Sequence, residues 1–384
     1  MKLPNKLLAV WMFFLSCSGC SAVRSETQLK PVWTTDLLQN SLYAARVEQE
    51  HKPPVRHWTS PELAFVGSKT LAVSFDDDEQ TLMTNLDQLR HFHFRTIFVN
   101  AEDGKFKNRD LSWATIDGDS KLLPMRDGGF VVVAGERLYR YSGDFKLITH
   151  ASVPPDPGND SDGEFGTDST IYVSQLQHWL AKEDPAEESI VLCHAANDHA
   201  SYFWIDDESL QILNGPITSE GWSYAFSVSG KSIIQGSLIV DHSGKWEPFC
   251  PKYKNGAPSF VSDNKVFIAY NQDKEVRYSL VTDGCKQLLD LPGGSSGTVD
   301  ARAASGNRIA ISESSLENTP LAATFTINVR IWDLDPPREV MKLSLTPKAE
   351  TGRVVMGPAF AAALSSDGKL LAILLGSKLM LYSI

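Results

Sequence analysis

After its first fifteen residues this chain has no apolar run near the roughly 20 residues a membrane helix needs, so no spanning segment is expected in its body. Cysteine is scarce: five in 384 residues, with Cys17 and Cys20 near the amino terminus and Cys193, Cys250 and Cys285 beyond it. No two of the last three stand as Cys-x-x-Cys and no Cys-x-x-Cys-His occurs, which removes the usual signs of structural zinc and of an attached haem. Basic residues are in deficit, 36 Lys and Arg against 47 Asp and Glu, for a formal net charge of −11 with no basic cluster. A surface of that sign repels phosphate backbones, so nucleic acid is not an expected partner. What is abundant is apolar: 42% of the residues, with 26 Gly and 20 Pro, which fits a folded chain and neither a disordered nor a collagen-like one.

The amino terminus places Lys2 and Lys6 ahead of an apolar run, Leu7 to Leu15, followed by small residues up to Ala22. That is the pattern of an export signal. Residues 1–22 are therefore expected to send the chain to the periplasm or outside the cell, with cleavage after Ala22. The alternative is a lipid anchor at Cys20, preceded by the small residues Ser18 and Gly19, although Cys17 stands where such signals usually carry Leu. Residues 23–57 read as an N-terminal arm interrupted by Lys52, Pro53 and Pro54.

From Trp58 on, one short phrase returns. Asp367-Gly368-Lys369 leads into the apolar stretch Leu370 to Leu375, then a Gly376-Ser377 turn, then Lys378 to Ile384. Asp127-Gly128-Gly129 before Phe130, and Ser229-Gly230-Lys231 before Ser232, repeat it. Strand, turn and strand returning at intervals of roughly 35 to 50 residues are the sign of a β-propeller. The expected fold is all-β: seven blades of four antiparallel strands over residues 58–384. Leu63 to Val66, Thr70 to Phe75 and Arg95 to Val99 belong to the first, with Thr81 to His93 a helical insertion. Leu111 to Val153 form the second, and Thr170 to Ile205 carry strands of the third. Gly221 to Phe249, Pro258 to Leu291 and Val299 to Leu345 form the next three. The seventh, from near Gly357, has room for three strands, and the arm between Leu42 and His57 is expected to supply the fourth, closing the ring and covering a sheet edge.

The Asp/Ser-Gly-Lys turns, the Trp332-Asp333 dipeptide ending a third strand, and the terminal Lys378 to Ile384 resemble the WD40/YVTN-like propellers of exported bacterial proteins. That resemblance covers residues 58–384. It implies a ring with loops on two faces and, since relatives include protein-binding platforms, lactonases and quinone-dependent dehydrogenase subunits, no one reaction.

Candidate chemistry is sparse. Gly293-x-Ser295-x-Gly297 has the spacing of a hydrolase elbow, but no helix is expected after it, so it reads as a connector. Asp160, Asp162 and Glu164 cluster oxygen ligands in one turn and are the candidate metal ligands, for Ca²⁺, although Gly158 stands where a calcium loop has its first ligand. His91 and His93 would share a face on a strand. Trp58, Trp113 and Trp222, placed at innermost strands near the channel, are the candidate ligand contacts, although recurring tryptophans more simply pack between blades. Cys250 and Cys285 are expected on opposite faces of the disc, about 15 Å apart by strand length, beyond the roughly 7 Å a disulfide spans; three free thiols follow. The reading that results is an exported, noncatalytic module binding protein or peptide, without a resident cofactor. The alternative is a propeller enzyme, a metal-assisted hydrolase or lactonase with its site at the channel mouth.

Overall fold

The apolar stretches are short, rich in Val, Ile, Phe and Tyr, and bounded by Gly, Asp and Ser, and such stretches pair as strands. A computed structural model of the protein describes residues 29–50, 61–83, 88–116, 120–125, 127–135, 137–154, 170–173, 189–195, 199–220, 224–226, 232–235, 238–241, 245–253, 256–262, 265–272, 275–282, 284–292, 297–302, 307–318, 323–346 and 359–384. Two compact units divide the chain, Met1–Lys30 and Pro31–Ile384, and every described strand belongs to the second.

The second unit opens with β1 (Trp33–Asp36) and α1 (Ser41–Glu50). A first sheet follows, of β2 (Glu62–Val66), β3 (Thr70–Met83), β4 (Gln88–Asn100) and β5 (Phe106–Ile116). The second sheet is β6 (Lys121–Pro124), β7 (Phe130–Ala134), β8 (Arg137–Tyr141) and β9 (Leu147–Ser152). The third is β10 (Thr170–Val173), β11 (Ser189–Ala195), β12 (His199–Asp206) and β13 (Ile212–Glu220). The fourth is β14 (Tyr224–Phe226), β15 (Ser232–Gln235), β16 (Leu238–Asp241) and β17 (Trp246–Pro248). The fifth is β18 (Ala257–Ser262), β19 (Lys265–Gln272), β20 (Glu275–Thr282) and β21 (Gln287–Pro292). The sixth is β22 (Gly297–Arg302), β23 (Arg308–Asn318), β24 (Ala323–Leu334) and β25 (Pro337–Leu345). The remaining strands are β26 (Phe360–Leu364), β27 (Leu370–Leu375) and β28 (Lys378–Ser383), and their sheet runs β1-β28-β27-β26, all pairs antiparallel.

Apolar side chains join neighbouring sheets. Phe94, Phe98 and Trp113 of the first pack with Phe130, Val132 and Tyr141 of the second. Val131 and Val133 then meet Ile190, Leu192 and Phe203 of the third. Further on, Phe267 and Tyr278 of the fifth meet Ile309 and Ile311 of the sixth, and Val329 and Ile331 of the sixth meet Leu371 and Ile373 of the last. Leu374, Leu379 and Leu381 of that last sheet pack with Leu71, Val73 and Val99 of the first. One strand can serve two junctions because its successive side chains point to opposite faces.

Four expectations are corrected. Thr81 to His93 is not helical where it is described: β3 and β4 form one long hairpin, paired from Thr70↔Asn100 to Met83↔Gln88. The run Asp76 to Glu79 conceals it, because Asp and Glu are poor strand residues. The strand completing the last sheet is β1, registered Trp33↔Leu381 to Asp36↔Lys378, and not a segment of Leu42 to His57. Residues 41–50 form α1 instead, whose Leu42 and Tyr43 N–H groups donate to the Asn40 Oδ1 cap at 3.0 and 3.3 Å. Trp113 lies in β5, the outermost strand of the first sheet, and not on an innermost one.

The fourth correction is the disulfide. Cys250 and Cys285 are bonded, with Cα atoms 5.3 Å apart. β17 has only three residues, and the chain after it does not cross directly to the next innermost strand. Cys250 turns it at a φ of 40°, and Pro251–Tyr253 form a 3-10 turn laid along the fifth sheet. There the Tyr253 hydroxyl lies 3.1 Å from Ser279 Oγ of β20, which keeps the start of the connector beside the turn holding Cys285.

Candidate functional site

Of the residues singled out from sequence, Trp58, Trp222, Asp160, Asp162, Glu164, Ser295 and Cys20 lie outside the described residues. Trp113 is 5% exposed, and its indole Nε1 donates to Tyr141 Oη at 3.1 Å between the first two sheets. Burial pushes the Tyr141 phenol up from its ordinary value, and the Trp113 hydrogen bond offsets part of that. His91 and His93 both lie in β4, opposite Gln80 and Asp77.

The polar clusters that are described hold strands together. Asp333 of the Trp332-Asp333 dipeptide is buried, with Arg308 Nη2 2.6 Å from Oδ1 and Arg338 Nη2 3.0 Å from Oδ2. Buried Arg140 donates through Nη2 to Asp127 Oδ2 at 2.6 Å, fixing the turn before β7. On the fifth sheet, Asp290 accepts from Tyr270 Oη at 3.0 Å, Arg277 Nη2 at 3.2 Å and Ser279 Oγ at 3.3 Å, and the Asp290 carboxylate holds Arg277 above its ordinary value. Lys252 Nζ donates to Gln287 Oε1 at 3.0 Å from the connector above. With the Tyr253 hydroxyl near Ser279 Oγ and Gln287 Oε1, these bonds latch the connector to β20 and β21.

The feature that stands apart is one end of the molecule. β3 and β4 are 14 and 13 residues long and β23 and β24 are 11 and 12, against 5 or 6 for the strands β26 to β28 of the sheet packed between them. Both hairpins project to the same side. Arg308, at the start of β23, donates to the Gly368 carbonyl in the β26–β27 turn at 2.6 Å, so those two turn ends lie together and the opposite ends lie together too. At that opposite end the Tyr43 hydroxyl of α1 donates to the Gly376 carbonyl at 3.1 Å, and its ring meets Phe75 of β3 edge-on at 5.3 Å. β2 accompanies β3 only as far as Ser74, and β22 accompanies β23 only as far as Glu313. Beyond those points the inner edges of β3 and β23 have no strand partner among the described residues. The period-two alternation of Arg90, Phe92 and Phe94 with His91, His93 and Arg95 is the sequence sign of the first hairpin, and no comparable sign marks its projection.

Among the described residues no helix is long and apolar enough to cross a membrane, and no group of three or more His, Cys, Asp or Glu is arranged to hold a metal ion. No protein-family model matches the chain, and no curated protein matches it. Solved structures similar to it include the Dos1 propeller, at 11% identity and a TM-score of 0.46 over 92% of this chain and 95% of that one. The WD40 domain of SCAP from fission yeast is similar at 12% identity and a TM-score of 0.38, over 86% and 93%. Prolyl oligopeptidase B from Galerina marginata is similar at 13% and 0.45, over 79% of this chain but 45% of that one. Each of these likenesses has a TM-score below 0.5, and the fold is described by this chain's own four-stranded antiparallel sheets.

Proposed function

We propose that this chain is an exported β-propeller of seven four-stranded blades, closed by β1, that binds or assembles other proteins and performs no reaction itself. The observation that carries the reading is the end with the two projecting hairpins, anchored on sheets whose polar groups are used to hold strands. Packing of the last sheet on the first supports a closed ring, and a ring so closed is a stiff platform for such elements. The Cys250–Cys285 bridge supports export, since disulfides persist in oxidising compartments. Residues 1–22 act as the signal in this reading, with Cys20 the site of a lipid if one is attached.

The test is crosslinking in the native envelope followed by purification of the chain and metal analysis of the product. A partner recovered in fixed ratio is the expected result. Stoichiometric Ca²⁺ or Zn²⁺ together with turnover of a lactone or ester would replace the proposal with the enzyme reading.

A further inference from the structure

The outer strand of a sheet leaves one row of backbone groups without a ladder, and proteins shield such edges with charged side chains and proline. Six of the outer strands here follow that rule, with Asp36 in β1, Arg109 in β5, Pro216 in β13, Glu247 in β17, Asp290 in β21 and Glu339 in β25. β9 does not: Leu147–Ser152 holds no Asp, Glu, Lys, Arg or Pro. It pairs with β8 from Arg137↔Ser152 to Tyr141↔Leu147, and its other edge has no strand partner among the described residues. The β8–β9 register shifts so that Ile148 is left without an opposite residue, but the ladders of β5, β13, β21 and β25 shift as well. What sets β9 apart is its lack of charge. Leu147 and Ile148, at the end of β9 away from Pro154, are 50% and 56% exposed.

The surroundings of that end have a sign. Phe145, in the turn before β9, has Lys107 Nζ 5.6 Å and Arg109 Cζ 5.7 Å from its ring centre, and Arg109 Nη2 donates to its carbonyl at 2.9 Å. Lys107 and Arg109 are two apart on β5 and so share a face. Neither has a carboxylate partner among the described residues, whereas Lys105 and Lys146 are paired with Asp103 and Asp144. Two uncompensated cations beside an uncharged edge, on a chain of net charge −11, favour an occupant that is neutral along the edge and acidic where it passes them. A second copy pairing antiparallel by the same edge would lay its Ser152 end here, with Arg137 one strand in, and bring cation towards cation.

We infer that β9 accepts, as an added strand of the second sheet, an extended segment of a partner protein that is uncharged along its paired residues and carries Asp or Glu beside Lys107 and Arg109. This rests on the binding-module reading and adds a docking site on the rim to the hairpin end. The probe is the labelled peptide Glu-Glu-Thr-Val-Thr-Val-Thr-Val-Glu-Glu, whose acid at both ends serves either strand direction, titrated into the purified protein. Beside it stand the same peptide with Lys for Glu and one N-methylated at alternate residues so that it cannot pair along an edge. The acidic peptide binds about tenfold or more tightly than either control, and at saturation it slows amide exchange within residues 147–152 by about tenfold or more. The variant Lys107→Gln with Arg109→Gln keeps its cooperative melt and loses the preference for acid. Ile148→Asp with His150→Asp, which puts charge on the edge, loses the binding.

The inference is overturned if the acidic peptide binds no more tightly than the controls, if exchange within residues 147–152 is unchanged on binding, or if the glutamine variant binds as the natural chain does. A native partner captured equally by the natural chain and the glutamine variant would sink this site and leave the binding-module reading standing. The absence of any fixed-ratio partner on either chain would sink that reading itself.

Discussion

Gly104 sits at a φ of +72° in the turn between β4 and β5, and its backbone is where β1 is fastened to the first sheet. Thr35 Oγ1 donates to its carbonyl at 2.6 Å, and Trp33 Nε1 donates to Ala101 at 2.9 Å. A Cβ there would lie 2.6 Å from Thr35 Oγ1 and 2.8 Å from the Trp33 ring. Gly104→Ala combines that clash with a backbone conformation L residues resist, and is expected to lower stability by about 1–3 kcal/mol. Urea unfolding measures it, and an unchanged midpoint would mean that β1 is not seated as described. Asp36, at the other end of β1, is hydrogen-bonded to Lys378. That bond first, with the Leu38 N–H, holds its carboxyl below its ordinary value against the opposing effect of burial. Because the folded carboxyl is the stronger acid, its contribution is full above the unfolded pKa of about 3.9 and disappears as the pH falls through the lower folded value. Asp36→Asn is therefore expected to cost about 0.5–1 kcal/mol near pH 6, as for a partly exposed ion pair, and less at acid pH, once the carboxyl takes up its proton in the folded chain. Equal costs at both pH values in thermal melts would exclude the ion pair as the cause.

At the scale of elements, the decisive join is between β1 and β28, brought together from opposite ends of the unit. β28 is also the partner of β27, and Leu379 and Leu381 on it enter the core shared with the first sheet. Deleting Lys378 to Ile384 thus removes a ladder on each side and part of that core at once. The truncated chain is expected to lose its cooperative thermal transition by circular dichroism, where a lone edge strand would cost only part of it. Retention of the natural melting temperature would show that the sheets do not depend on the join.

For the whole molecule, the Cys250–Cys285 bond spans a sequence separation of 35 and ties the connector after the fourth sheet to the fifth. Closing a loop of that size in the unfolded chain is worth about 3–4 kcal/mol. Reduction, or Cys250→Ala with Cys285→Ala, is expected to lower stability by about that amount, read from denaturant midpoints. Thiol titration of the unreduced, unfolded chain without residues 1–22 should find a single reactive group, Cys193. Three would show that the bridge does not form.

Local grammar carried most of the strand positions. Asp367-Gly368 and Gly376-Ser377 bound β27, and β14 to β17 fall within Gly221 to Phe249, because turn chemistry and period-two alternation are written in adjacent residues. The Trp332-Asp333 dipeptide pointed to a packed third strand, and the structure supplies its reason in the Arg308 and Arg338 partners of Asp333. The sequence by itself determined an all-β chain of short hairpins, and it left open which strands meet and how far they reach. Tertiary packing chose Trp33–Asp36 over the following residues as the partner of β28, carried an acidic stretch of poor strand formers into the β3–β4 hairpin, and brought Cys250 beside Cys285. The physical reason is the same in each case: strand pairing and connector path depend on neighbours remote in the chain, so their energies lie in contacts that no window of adjacent residues contains.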